Sequence, residues 1–110
     1  MGRGSRPASR CGMRVSLRFR PEFASDLDAG RRWYEERSPG LGAVFAMECS
    51  RCLARIQRNP DWVAADADGV RSIRLTRFPY VIHFLLEDDL IVVLAVMFGG
   101  RDPSAWRGRA

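Results

Sequence analysis

Lysine is missing altogether: all eighteen basic residues of the 110-residue chain are arginine. Histidine occurs once, at His83, so one side chain alone has an ordinary pKa near neutrality. Cysteine occurs three times, at Cys11, Cys49 and Cys52, and an odd number argues against a disulfide framework. No run approaches the roughly 18 consecutive apolar residues of a membrane-crossing helix. The apolar stretch Leu90–Phe98 has the length of a strand. No hydrophobic segment of the secretory type follows the basic start. The chain is therefore expected to work in the cytoplasm, without membrane contact.

What is present fits one compact domain. A hydrophobic fraction of 46% supports a modest core and is too high for a disordered chain. The net charge of +5 is less informative than it looks, because it is terminal. Residues 1–20 hold six arginines and no acid, whereas residues 61–100 hold three arginines against six acids. A general electrostatic footprint for nucleic acid is weak. Guanidinium groups nonetheless suit bidentate binding of carboxylate or phosphate. Residues 1–12, MGRGSRPASRCG, carry only small, polar and basic types after the initial Met. Residues 1–13 are read as a tail preceding a single domain over 14–110, with Met1 and Met13 both candidate starts.

Arg14–Arg20 alternates polar and apolar residues, which predicts a strand burying Val15, Leu17 and Phe19. Pro21 suits a first helical turn, and Phe23, Leu27, Gly30 and Tyr34 share one face of a helix over Pro21–Arg37. Ser38-Pro39-Gly40 breaks it. A second helix over Leu41–Arg58 presents Leu41, Phe45, Cys49, Cys52 and Ile56, with Val44 and Leu53 beside them, and pairs antiparallel with the first. Strands are predicted over Arg71–Leu75, Tyr80–Leu86 and Leu90–Phe98, the last two joined by the acidic turn Glu87-Asp88-Asp89. Both of these runs are nearly continuously apolar, so they belong at the sheet centre or have a second face covered. If one helical pair leaves such a face exposed, that face marks a protein interface. The expected fold is α+β in two layers: an antiparallel sheet of about four strands with a helical hairpin on one face, in the order β-α-α-β-β-β.

Taken together, several stretches resemble the RelE/ParE toxin superfamily, and within it the ParE-like, plasmid-stabilisation branch. They are Phe19-Arg20-Pro21-Glu22 leading to Leu27, then Trp33-Tyr34-Glu35, and Ser38-Pro39-Gly40-Leu41-Gly42 with Phe45. Arg74-Leu75-Thr76-Arg77-Phe78-Pro79-Tyr80 follows, then Leu94-Ala95-Val96, and finally Arg101-Asp102-Pro103 with Trp106. The resemblance covers residues 14–109. It implies the toxin of a type II toxin–antitoxin pair, neutralised by a cognate antitoxin and touching DNA only through that complex. Its target would be DNA gyrase (ParE-like) or mRNA on the ribosome (RelE-like); a degenerate, non-toxic antitoxin-binding relative is the third alternative.

If the chain is a nuclease, the resemblance makes it metal-independent, with Arg74, His83 and Arg101 as its catalytic residues. Such cleavage needs cations for the phosphorane charge and a group that moves a proton. Arg71, Arg77, Tyr80, Trp106 and Arg107 are candidates for binding the antitoxin or target. Three positions depart from the nuclease branch: Val81 follows Tyr80 where an Arg is common, Phe98-Gly99-Gly100 stands where relatives carry a His, and Trp106-Arg107 stands where a Tyr is common. His83 is either a general base on the open sheet face beside Arg71 or Arg74, or a half-buried neutral strand residue. Arg71 and Arg77 share strand parity and Arg74 points the other way. Cys49-x-x-Cys52 lies mid-helix with no second Cys/His pair, which fits core packing better than zinc or redox chemistry. No cofactor or metal is expected. Trp33, Trp62 and Trp106 are too dispersed for one stacking platform.

Overall fold

The computed structural model describes residues 16–99. Strand β1 (Ser16–Phe19) leads into helix α1 (Pro21–Arg37) and, after a tight turn, helix α2 (Leu41–Arg58). A 3-10 turn at Pro60–Trp62 and a loop precede β2 (Val70–Arg74), β3 (Tyr80–Glu87) and β4 (Leu90–Phe98). The order β-α-α-β-β-β and the two-layer α+β architecture match the expectation.

Pro21 opens α1, and the Ser38 N–H closes it on the Tyr34 carbonyl at 3.1 Å. Gly40 then adopts the left-handed region, φ +88°, which turns the chain into α2 at little steric cost. The start of α2 has no capping side chain of its own. Glu35 on α1 supplies one: its Oε2 accepts from the Gly40 N–H at 2.9 Å and its Oε1 from the Gly42 N–H at 3.0 Å. These two donors, aided by Arg31, hold the Glu35 carboxyl below its ordinary 4.5.

The helices approach closely because two contact positions lack side chains. A Cβ on Gly42 would stand 2.6 Å from the Arg31 carbonyl oxygen, and one on Gly30 would stand 2.6 Å from the Phe45 ring. Phe45, fully buried, lies against Gly30 on one side and the rings of Tyr34, Phe78 and Tyr80 on the other, at 5.3, 5.3 and 4.9 Å between centroids. The rest of the core runs from there through Cys49, Cys52 and Ile56 of α2 to Ile73, Ile82, Phe84, Ile91, Val93 and Val96 of the sheet.

The sheet order is β1-β4-β3-β2, so the two apolar strands are central, as predicted. The expectation of an antiparallel sheet needs correcting: β2, β3 and β4 are antiparallel, but β1 pairs parallel with β4, Ser16 opposite Leu90 through Phe19 opposite Val93. Alternation has the same period in either direction, so it reports which face is buried and not which way a strand runs. Phe19 is a second correction. It lies at the sheet edge, 45% exposed, with its ring on Phe23 at 5.1 Å. Val15 falls outside the described residues.

β4 is apolar throughout because of a bulge. His83 pairs with Ala95 and Phe84 with Val93, so Leu94 is the extra residue. Ile91, Val93 and Val96 face the helices, whereas Leu94, Ala95 and Met97 join Val70 in a second buried cluster, flanked by Leu85 and Val92. The second face of β4 is thus buried at Leu94, Ala95 and Met97, whereas the same face of β2 is open to solvent at Ser72 and Arg74.

Gly42→Ala should gain about 1 kcal/mol in helix propensity yet lose about 1–3 kcal/mol net to overpacking, since a backbone carbonyl cannot rotate aside. Urea denaturation checks this, and unchanged or raised stability would refute the close-approach argument. A second test follows from the Glu35 cap. Its folded pKa is depressed, so its contribution is complete above the unfolded value of 4.5 and is lost as pH falls through the folded one. The stability gap between wild type and Glu35→Gln should be open at neutral pH and narrow on acidification below that value. A gap independent of pH would show that the charge is irrelevant.

Candidate functional site

The candidate residues fall on two sides of the β2–β3 pair. Register places Arg74 opposite Val81 and Ser72 opposite His83 on the face away from the helices, whereas Ile73 opposite Ile82 faces the core. Arg74 and His83 are therefore diagonal neighbours on one face, and Arg71 is not beside them. The imidazole is half-buried, its Nδ1 2.7 Å from the Ser72 hydroxyl oxygen. The Arg74 guanidinium reaches along Val81 to the end of β4, where its Nη2 lies 3.5 Å from the point a Cβ on Gly99 would occupy. The Gly99 N–H donates to the Pro79 carbonyl at 2.8 Å, which ties the end of β4 to the corner preceding β3.

Arg71 is taken up elsewhere. Its guanidinium donates to the Val63 carbonyl, and its backbone bridges Ala65, so it fastens the loop before β2 to the sheet edge. The parity argument holds for Arg71 and Arg74 but does not extend to Arg77, because β2 ends at Arg74. Arg77 lines a groove of about 410 Å³ with Tyr34, Leu41, Val44, Phe78 and Pro79, on the helix side of the corner. Tyr80 belongs to the aromatic cluster, between Phe45 and Phe98 at 4.9 and 6.0 Å. Burial, and secondarily the neighbouring Tyr80, raises the Tyr34 pKa above its usual 10.0. Arg101, Trp106 and Arg107 lie outside the described residues.

The structure therefore unites Arg74 with His83 and separates both from Arg71 and Arg77. It also shows features that periodicity did not flag. Trp33 is 47% exposed with the Arg37 guanidinium 3.3 Å above its ring, and Arg55 lies 5.0 Å over Trp62. Glu48 on α2 is buried; its place in a helical face that otherwise reads as polar gave no sign of this. Among the described residues no helix is long and apolar enough to cross a membrane, and no three His, Cys, Asp or Glu side chains converge as metal ligands.

The cysteine pair behaves as core. Burial pushes the Cys49 thiol up to about 12 and the Cys52 thiol up to about 11, far from the thiolate that metal binding or redox exchange requires.

The sequence model of the family described as ParE toxin of type II toxin-antitoxin system, parDE, matches residues 17–103. A solved chain from the chromosomal ParDE TA system from P. aeruginosa is similar in structure, with a TM-score of 0.68 at 23% sequence identity, covering 76% of this chain and 95% of that one. At this identity the likeness speaks for the fold. No curated protein matches the sequence.

In a Cys11→Ser background, Cys49 and Cys52 should resist a thiol reagent such as DTNB at pH 8 and react only on unfolding. Prompt labelling of the native protein would contradict the burial assignment.

Proposed function

The chain belongs to the ParE toxin family of type II toxin–antitoxin systems, and from that premise we propose that it arrests growth in the cytoplasm by binding and inhibiting DNA gyrase, and that a cognate antitoxin neutralises it. The observation that carries the choice of binding over cleavage is the make-up of the open sheet face. Cutting RNA without a metal calls for a proton-transfer group and separate cations on the phosphorane charge. Among the described residues around Arg74, the register places Val81 opposite the arginine, and the one imidazole already has its Nδ1 at Ser72. Arg74 also lines a small cleft with Arg51 and Arg55, and guanidinium groups suit recognition of a carboxylate or phosphate.

A second reading is favoured by a specific observation: Arg74 and His83 do share a face. On that reading they act on mRNA at the ribosome, together with Arg101. Arg77 and Tyr80, at the corner beside the 410 Å³ groove, are better placed to meet antitoxin than to join Arg74.

The full chain, induced alone and with its neighbouring gene, provides the test. Toxicity relieved by the neighbour, DNA-damage signalling, intact mRNA and inhibition of purified gyrase in a supercoiling assay are the expected results. New mRNA ends within codons, with gyrase unaffected, would transfer the assignment to the nuclease reading. Equal growth with and without the neighbour would overturn the toxin role. Arg74→Ala should weaken gyrase inhibition about tenfold, the scale of one charge-assisted hydrogen bond, while leaving the melting temperature unchanged.

A further inference from the structure

The two faces of the sheet are buried in different ways. On the inner face Ile82, Phe84, Val93 and Val96 cluster with side chains of both helices. The outer cluster, Val70, Leu94, Ala95 and Met97 with Leu85 and Val92, contains strand residues only. Yet Leu94 and Ala95 are fully buried and Met97 is 5% exposed. Neighbours within a sheet shield a side chain around its sides but leave its tip open, because side chains stand up from the pleated surface. Leu94 and Met97, buried to their tips, therefore need something lying over them. Among the described residues neither helix lies on that face.

The cover is narrow. It lies over the second half of β4 and thins out across the sheet. His83 on β3, paired with Ala95, is half-buried, and Ser72 on β2, paired with His83, is exposed. On the other side of β4, Arg18 of β1 is exposed as well. A globular partner or a second copy would cover neighbouring strands together, whereas one extended segment is as wide as one strand.

The end of β4 identifies the segment. A Cβ on Gly99 would stand 3.5 Å from both Arg74 Nη2 and Val81 Cγ2, side chains of the outer face. Gly99 thus opens onto that face, two residues beyond Met97, and the chain continues from there. Gly99-Gly100 permits a sharp reversal. In residues 100–110 the one large apolar side chain is Trp106, seven residues beyond Gly99. An extended stretch of that length reaches up to about 23 Å, against about 17 Å from Gly99 back to Leu94 along the strand. The N-terminal stretch enters at the opposite end of the sheet, where Ser16 pairs with Leu90. Leu17 packs inward, and both outward residues of β1, Ser16 and Arg18, are exposed, so no chain returns over them.

We propose that residues 100–110 fold back along the outer face of β4, with the Trp106 indole seated on Leu94, Ala95 and Met97. The face that carries Arg74 and His83 is then a strip bounded by the chain's own C-terminal segment. The proposal is independent of which target the toxin reaches.

NMR of the full-length chain, methyl-labelled at Leu, Val, Ala and Met and exposed to a soluble paramagnetic probe, provides the test. The Trp106 indole should give NOEs to the Leu94, Ala95 and Met97 methyls, shift them upfield by its ring current and shield them from the probe. Trp106→Ala should abolish the shifts and raise the probe's effect on these methyls severalfold, and Trp106→Phe should restore part of the protection. The inner-face Val93 and Val96 methyls should stay shielded throughout, which separates a lost cover from a lost fold. Exposed outer methyls in the wild type, or upfield shifts that survive Trp106→Ala, would overturn the proposal. So would exposure on removal of residues 1–12, which would make the N-terminal stretch the cover, or exposure on dilution, which would make it a second copy.

Discussion

The Phe45 ring is the contact on which the two layers depend. It is reached from α1 only because Gly30 has no side chain to hold the helices apart, and it meets the sheet through Phe78 and Tyr80. Tyr34 touches the same three rings, so four aromatics from two helices and one corner form a single interlocked group. Aromatic pairs in tilted and edge-on geometry add to the area they bury. Everything placed by the Phe78–Pro79 corner inherits its position from this group: the start of β3, the groove beside Arg77, and the tie from Gly99 back to Pro79.

Much of this arrangement is legible in the sequence. The spacing of Phe23, Leu27, Gly30 and Tyr34, and of Leu41, Phe45, Cys49, Cys52 and Ile56, marks the two helices with their observed bounds, because helical periodicity depends on local geometry alone. The central place of β3 and β4 followed from their continuous apolar character. Strand direction did not follow, since β1 and β4 are joined by most of the chain and alternation is blind to polarity. Nor did the exposure of Phe19, a consequence of its edge position. Of the candidate site, the shared face of Arg74 and His83 follows from pairing register, which strand patterns do not fix. The occupation of Arg71 by Val63 depends on a loop whose path no local rule sets. The cap on α2 was hidden for a related reason: Glu35 belongs to the preceding helix, where its charge reads as an ordinary solvated face.

With no lysine in the chain, one residue type performs several physical tasks. Arg37 covers Trp33, Arg71 fastens a loop, Arg31 and Arg32 engage Asp28 on the surface of α1, and Arg74 lies over the sheet. Exposed pairs such as those at Asp28 contribute little to stability. The guanidinium groups differ in their surroundings and not in their chemistry. Arg74 ends β2, and Arg51 and Arg55 line one small cleft with it beside the buried Glu48 carboxylate. This is why the net charge of the chain said so little about its partner.

The bulge at Leu94 has a consequence beyond the extra burial it permits. A strand with strict alternation assigns each residue to a face by counting from its first member. Here the count is reset halfway along, so Val96 and Met97 owe their sides of the sheet to one inserted residue. The same holds for the direction in which the chain leaves at Gly99, beside Arg74. Leu94 thus acts as a reading-frame element for the end of the protein. Deleting it would leave every later residue on its present face, whereas straightening the bulge with Leu94 in place would exchange the inner and outer faces of all that follows.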